Sequence, residues 1–377
     1  MWLKLVHTES IPKGKTMASP LFDTFTVRSM TTRNRIWIPP MCQYSVEKRD
    51  GVPTSYHEHH YNALARGGAG AVIVEMTNVL PEGRISPLCL GIWSDEHTQA
   101  HRRVVQAIHD GGAKAGVQIA HAGRKASSVP EREKRDGGSL SIEEGGWETF
   151  APSAIAYPGL KETTELTEDR IDEIVEAFGV AAARAVEAGY DFLEIHGAHG
   201  YLLTQFLSPL SNKREDSYGG SLENRARMIR RVARAMRANM PEDMPLLVRL
   251  SATEFVDGGI TVEETAQVAA WLKEDGVDMA DISTSGNYPS PIKVYAGYQT
   301  PMAAQVKREA AIPVAAVGMI NSPRLAEYIV GSEQADVVLV GREALRNASF
   351  ALNWAKELNV DVDYVPSQYL RAWNTRR

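Results

Sequence analysis

Eight short runs rich in β-branched and apolar residues recur along the chain, and most are followed by a segment of helical periodicity. They lie at residues 35–38, 71–75, 116–120, 191–196, 245–250, 279–283, 313–317 and 336–340. Many are apolar without alternation, the pattern of parallel strands covered on both faces. The helical segments between them carry start and stop signals. Residues 95–110 follow Ser94 as N-cap, and 167–188 open on Thr-Glu-Asp and close on Gly189. Residues 222–239 carry an Arg-rich face, 261–275 open with a capping box and end at Gly276, and 303–310 and 323–329 are shorter. Eight strand–helix units predict an α/β fold, a single-domain (β/α)8 TIM barrel. The alternative is an open doubly wound sheet. That usually has fewer strands and a Gly-rich first turn, and no G-x-G-x-x-G follows the first run here.

One irregular stretch, residues 121–166 after the third strand, holds Gly137-Gly138, Gly145-Gly146, Trp147 and Phe150. Loops of this length are usually functional or disordered. It reads as an excursion over the barrel mouth, in the form of a hairpin. Residues 1–16 precede Met17 and read as a flexible N-terminal extension, leaving 17–377 as the barrel with its C-terminal tail.

Composition narrows the function. A formal net charge of −6 and no conspicuous Lys/Arg cluster argue against a nucleic-acid partner. Two cysteines, Cys42 and Cys89, are too few for a disulfide framework, a four-Cys zinc site or an iron–sulfur cluster. No apolar run approaches the ~20 residues that cross a bilayer, and the first residues lack a signal-peptide pattern. A cytoplasmic protein with no membrane partner is expected. His57-Glu58-His59-His60 has metal-ligand residue types. It lies beyond the first strand, at the start of a helix, and a structural role is expected.

In such barrels the active site sits at the C-terminal ends of the strands. Those positions read Pro39-Pro40-Met41-Cys42-Gln43-Tyr44; Glu75-Met76-Thr77; Gln118 with His121; His196-Gly197-Ala198-His199-Gly200-Tyr201; Arg249; Ser283-Thr284-Ser285-Gly286; Gly318-Met319; and Gly341-Arg342. The last two suit a phosphate, held by backbone N–H groups and the Arg342 fork. No Lys occupies a strand end, which disfavours a Schiff-base aldolase. Two neutral imidazoles, His196 and His199, can donate to one substrate oxygen, and Tyr201 can supply a proton. The same cup also suits a phosphate-binding lyase or isomerase without redox chemistry, or a ligand-binding barrel without catalysis.

These segments resemble the old yellow enzymes, and within them the thermophilic-like bacterial branch of NADPH dehydrogenases and xenobiotic reductases. The matching motifs include Pro40-Met41-Cys42-Gln43-Tyr44-Ser45, Gln118-Ile119-Ala120-His121-Ala122-Gly123-Arg124-Lys125, His196-Gly197-Ala198-His199-Gly200-Tyr201-Leu202, Val248-Arg249-Leu250-Ser251 and Gly341-Arg342-Glu343. The resemblance covers residues 20–373. It implies FMN across the barrel mouth, its phosphate near Gly318, Gly341 and Arg342. Arg249 is implied at the flavin N1/C2 oxygen region and Gln118 at the pyrimidine edge. Pro39, Pro40, Met41, Cys42 and Met76 are implied to line the ring system, with Cys42 tuning the flavin. Tyr44, His196 and His199 are implied to bind substrate.

The implied reaction is ping-pong. NADPH (or NADH) reduces the flavin, and the hydride then passes to the β-carbon of an α,β-unsaturated carbonyl compound or related activated alkene. Tyr201 is implied to protonate the α-carbon from the opposite face. The tail Gln368-Tyr369-Leu370-Arg371-Ala372-Trp373 resembles one that sends an Arg into a neighbouring subunit's site, so Arg371 is expected to act within a homodimer or homotetramer. Two positions depart from the pattern. Met76 stands where this branch commonly has a small residue, and Ala372 replaces a common Gly.

Overall fold

The computed structural model describes residues 18–130, 133 and 138–373. Residues 1–16, expected to be an extension, lie outside the described residues. Among the described residues, eight parallel strands close on themselves: β1 (Ile36–Ile38), β2 (Ala71–Asn78), β3 (Lys114–Ala120), β4 (Phe192–Gly197), β5 (Leu246–Ser251), β6 (Met279–Ser283), β7 (Val314–Ala316) and β8 (Val337–Leu339). Closure runs from β8 to β1 through Val338↔Ile36, and from β1 to β2 through Trp37↔Ala71. Every predicted strand is present, with its ends moved by no more than a few residues.

The outer ring follows from amphipathic periodicity. It comprises α1 (Ser55–Arg66), α2 (Asp95–Asp110), α3 (Glu168–Ala188), α4 (Leu222–Arg237), α5 (Val262–Glu274), α6 (Thr300–Ala310), α7 (Pro323–Gly331) and α8 (Phe350–Glu357). Ser94 and Thr167 cap as expected, accepting from the N–H groups of His97 and Arg170. Thr261 and Glu264 complete a capping box, and Gly189 ends α3 in the left-handed conformation. His57 closes a second box with Thr54, a structural role at the start of α1.

Apolar side chains fill two spaces. One lies between strands and helices. The other fills the lower barrel interior, where Trp37, Ile73, Phe192, Leu247, Met279 and Leu339 meet. Val27 and Met30 join this second group from an antiparallel hairpin, Phe25–Val27 with Met30–Thr32. The hairpin plugs the bottom of the barrel. Its three-residue strands have no periodicity of their own to read in the sequence. Within the stretch 121–166, residues 127–129 pair antiparallel with 138–140, through Val129 N–H to the Gly138 carbonyl and Leu140 N–H to the Ser127 carbonyl. Two short strands of the same stretch, Phe150–Ala151 and Thr164–Glu165, pair parallel, and one isolated antiparallel bridge joins Ser128 to Ser139. Trp147 anchors the excursion by donating its indole N–H to the Glu82 carbonyl at 2.7 Å, and the Arg170 guanidinium covers Phe150.

Gly116 on β3 faces Phe192, which packs against Trp37 at a centroid distance of 5.5 Å. A Cβ there would press into the Phe192 ring. Gly116→Ala is therefore expected to cost about 1–3 kcal/mol by overpacking, read as a lowered urea midpoint. An unchanged midpoint would mean that the interior has room the packing does not show.

Candidate active site

Two-residue alternation along the strands sets the floor of the site. On β6, Met279, Asp281 and Ser283 point inward in turn, and on β4 so do Phe192, Glu194 and His196. The interior thus changes from apolar at the bottom to ionisable in the middle and hydrogen-bonding at the mouth. Register places Arg249 beside His196 on one side and Asp281 on the other.

The turn after β4 carries the expected trio. His199 and Gly200 both have positive φ, at 59° and 71°. A non-glycine residue in that region is held there by its surroundings. Here His199 N–H donates to Ser251 Oγ at 2.9 Å, Gln205 Nε2 donates to the Gly200 carbonyl at 2.8 Å, and Lys125 Nζ donates to the His199 carbonyl at 2.9 Å. Gly286 lies against this turn, and a Cβ on it would sit 2.6 Å from His199 backbone atoms. The result packs His196 edge-on against both His199, with centroids at 5.2 Å, and Tyr201, at 4.9 Å.

Both imidazoles are neutral. Burial, then the Arg249 charge, holds each well below the ordinary histidine range. Their tautomers follow from their partners. His196 Nδ1 accepts from Ala198 N–H at 3.3 Å, so Nε2 carries the hydrogen. His199 Nε2 lies 2.7 Å from Ser283 Oγ. Ser283 Oγ also reaches Gln299 Oε1 at 3.3 Å, so its proton has two acceptors; where it is given to His199, Nδ1 carries the hydrogen. In that arrangement each ring keeps one N–H for a ligand.

The first strand's extension joins them. Cys42, Tyr44 and Tyr201 pack on a small buried group that includes Met76, Cys89 and Ala120. Met76 is fully buried, so its side chain lies within that group. Tyr44 has φ 51°. Glu75, buried at the end of β2, accepts from Gln43 N–H at 2.7 Å and from the Tyr61 hydroxyl at 3.1 Å, pinning the loop that carries Cys42 and Tyr44. Burial raises the Cys42 thiol well above its ordinary range, with Cys89 and Glu75 adding to it, so it is a neutral thiol.

Across the mouth, a cavity of about 180 Å³ is lined by Arg249, Gly318, Met319, Gly341, Arg342 and Arg346 among others. Gly318 and Met319 have φ of 119° and 54°. Pro39 and Met41 close the near side, 3.5 and 3.3 Å from where a Gly341 Cβ would stand. The Arg249 and Arg342 guanidinium groups with backbone at two glycines form a donor set that fits a phosphate, and Arg346 on the same wall is paired with Glu343 at 2.6 Å. Gln118 and Arg249, both buried, face the same space from β3 and β5. The residues present therefore fit FMN, phosphate over the Gly318–Arg342 side and ring system toward the His pair.

The structure brings His196, His199 and Tyr201 together, packs Cys42, Tyr44 and Met76 in one group with Tyr201, and sets Arg249, Gly318, Gly341 and Arg342 around the cavity; Arg371 joins none of these sets. Arg371 is exposed in the tail. The tail is anchored upstream by Tyr364, whose hydroxyl accepts from Asn34 Nδ2 at 3.0 Å on the opposite face of the barrel. Glu75 and Ser283, named at strand ends, and Lys125, named in a motif, were given no role by the sequence, and Asp281 was not singled out. Lys125 is the most telling. It sits five residues beyond β3, in a 3-10 turn, yet its ammonium reaches across the mouth to the His199 and Gly286 carbonyls and lies 4.8 Å from the Tyr201 ring. Its motif is visible in the sequence, but the reach of its side chain is not.

A barrel with a phosphate cup, paired neutral histidines and a tyrosine at the strand ends is the architecture of a flavin-dependent oxidoreductase. The sequence pattern of the NADH:flavin oxidoreductase / NADH oxidase family matches residues 20–361, and the chain belongs to that family. Among its relatives is an NADPH dehydrogenase of Halalkalibacterium halodurans, 45% identical over 95% of this chain and 100% of the relative. One of Bacillus subtilis is 42% identical over 95% and 100%. Among solved structures, morphinone reductase superposes with a TM-score of 0.76 at 25% identity, covering 95% of this chain and 98% of that one. An old yellow enzyme homologue from Zymomonas mobilis gives 0.73 at 25% identity, covering 95% and 97%.

Glu75 makes a testable electrostatic statement. Burial raises its carboxyl from 4.5 to about 7, against the pull of the Gln43 N–H and the Tyr61 hydroxyl. An acid whose folded pKa is raised favours the fold fully below the unfolded value. It loses that contribution as pH rises through the folded one. At about 1.4 kcal/mol per pH unit of displacement, Glu75→Gln should gain up to about 3 kcal/mol relative to wild type between pH 4.5 and pH 7. Denaturant titrations of both proteins across that window check it. A difference that does not change with pH would show that Glu75 titrates normally.

Proposed function

We propose that the protein is an NADPH-dependent ene-reductase acting on α,β-unsaturated carbonyl compounds and related activated alkenes by a ping-pong reaction. The observation that carries this reading is the pair of neutral, mutually perpendicular imidazoles with Tyr201 against them. FMN, when bound, supplies the hydride chemistry, accepting from the nicotinamide and giving to the alkene. His196 Nε2–H and His199 Nδ1–H hold and polarise the substrate oxygen, drawing electron density from the β-carbon. Tyr201 gives its proton to the α-carbon. Lys125, which burial and Arg124 lower to about 8, is still cationic at neutral pH and steadies the charge left on the Tyr201 oxygen. Cys42 and Tyr44, held by Glu75, line the flavin and substrate sides of the same pocket.

NADPH as donor, with NADH as the alternative, is supported by the relatives' name of NADPH dehydrogenase. A morphinone reductase structure is described in complex with tetrahydroNAD. Among the described residues no helix is long and apolar enough to cross a membrane. A cytoplasmic setting belongs to the same reading. So does a homodimer or homotetramer in which Arg371 reaches a neighbouring site. The tail exposes Tyr369 and Leu370, at 50% and 42%, apolar surface suited to a second copy.

Anaerobic NADPH should bleach the visible band of the FMN-loaded protein, and 2-cyclohexenone should restore it. Tyr201→Phe should slow the restoration by about 10²-fold or more while leaving bleaching intact. Equal restoration rates would remove Tyr201 as the proton donor, and no restoration by any enone or nitroalkene would remove the alkene itself. Arg371→Ala should alter enone turnover kinetics in an oligomer seen by sedimentation equilibrium. A monomer with unchanged kinetics would refute the shared site.

A further inference from the structure

Below the mouth, four buried polar side chains from four neighbouring strands form one layer: Gln118, Glu194, Arg249 and Asp281. Gln118 Nε2 donates to Glu194 Oε1 at 2.8 Å. Arg249 Nε stands 3.0 Å from Asp281 Oδ2, an ion pair without hydrogen-bond alignment. Glu194 Oε2 and Asp281 Oδ1 are buried with no hydrogen-bond partner among the described residues. Nothing in the chemistry assigned above uses either carboxyl group.

We propose that Glu194 and Asp281 are positioning residues for the flavin's pyrimidine edge, holding Gln118 and Arg249 from below and setting through their charge how readily the flavin is reduced. The proposal rests on the flavin placement argued above. A glutamine amide has a donor end and an acceptor end. With Nε2 committed to Glu194, its carbonyl is turned away from the acid and toward the cofactor space. Arg249 favours negative charge next to it. A carboxylate 3.0 Å away on its other side offsets that pull, and the dry interior makes both effects strong.

The layer's charge is limited by its burial. Two carboxylates and one guanidinium packed together favour keeping one proton on the pair. Burial first, then the Asp281 charge, raises Glu194 to about 8, and burial raises Asp281 to about 6 against the pull of Arg249. Other groups near the layer are His196 and His199, both neutral, the Lys125 ammonium, and Arg342, Glu343 and Arg346, which line the cavity shared with Arg249. At pH 7 the layer therefore holds Arg249 as cation, Asp281 as anion and Glu194 protonated. A hydride from NADPH adds one negative charge to the flavin site. Above pH 8, where Glu194 has ionised, that charge draws one proton from solvent onto Glu194, and the balance is two electrons and two hydrogens taken up.

The test is the midpoint potential of bound FMN against pH in the holoprotein, with FMN affinity measured alongside. Asp281→Asn removes the anion beside Arg249 and should move the two-electron reduction equilibrium at least tenfold toward the reduced form at pH 7, about 30 mV. Glu194→Gln should match wild type at pH 7 but lack the steeper fall of potential that wild type shows above pH 8. An Asp281→Asn potential within about twofold of wild type in that equilibrium, under 10 mV, would overturn the proposal. So would identical pH slopes for Glu194→Gln and wild type, and this second comparison decides alone if Asp281→Asn fails to fold. Wild-type protein that binds no FMN would overturn the functional reading as well, whereas a loaded protein with unmoved potentials overturns the layer's role only.

Discussion

Arg249 is a guanidinium buried near the axis of a barrel, and much of the site is arranged around that fact. An unpaired charge there would cost several kcal/mol. Asp281, one strand away in register, reduces that cost and holds the side chain at the mouth. The same cation then acts on its neighbours. It helps keep His196 and His199 neutral, so that each ring has a single N–H to offer. It also lines the cavity across the mouth with Arg342, while Arg346 there is paired with Glu343 at 2.6 Å. Burial first, and this cation second, thus keep the histidine pair neutral.

Rigid and adaptable parts are divided between strands and turns. Gln118, Glu194, Arg249 and Asp281 sit on strands, where register leaves them little freedom. The chemistry at the mouth is carried by turns in unusual backbone conformations, His199 and Tyr44 among them. Each turn is tied by a side chain from elsewhere. Lys125 and Gln205 hold the turn after β4, and Glu75 holds the loop after β1. Arg124, fully buried, binds the Asn287 carbonyl and side-chain oxygen at 2.7 and 2.9 Å and so ties the excursion after β3 to the loop after β6. Strained turns persist only when their surroundings over-determine them, and these long-range bonds are that determination.

Legibility in the sequence followed periodicity and proximity. The eight strands and the capped helices α2, α3 and α5 were readable because period, caps and stop residues are local signals. His196, His199 and Tyr201 were readable because they are near one another in the chain. The bottom hairpin was not, because three-residue strands carry no pattern. The parallel pair Phe150–Ala151 with Thr164–Glu165 in the excursion was not readable either, because it is made through contacts that only the fold creates. The roles of Lys125 and Glu75 were not legible because their partners, His199 and Gln43, are 74 and 32 residues away.

What the sequence by itself determined is the repeating strand–helix unit, and with it the closed barrel and the end at which chemistry occurs. The residue types after the last two strands, Gly318 and Gly341-Arg342, suited a phosphate, while the flavin itself was implied by the family resemblance and not by those residues. The tertiary structure alone decided the electrostatics. Whether a histidine is neutral, or a glutamate titrates near neutrality, depends on burial and on charges brought close by barrel closure. Whether a lysine reaches a tyrosine ring depends on the path of the chain between strands. These are distances between residues far apart in the chain, and local propensity does not encode distance.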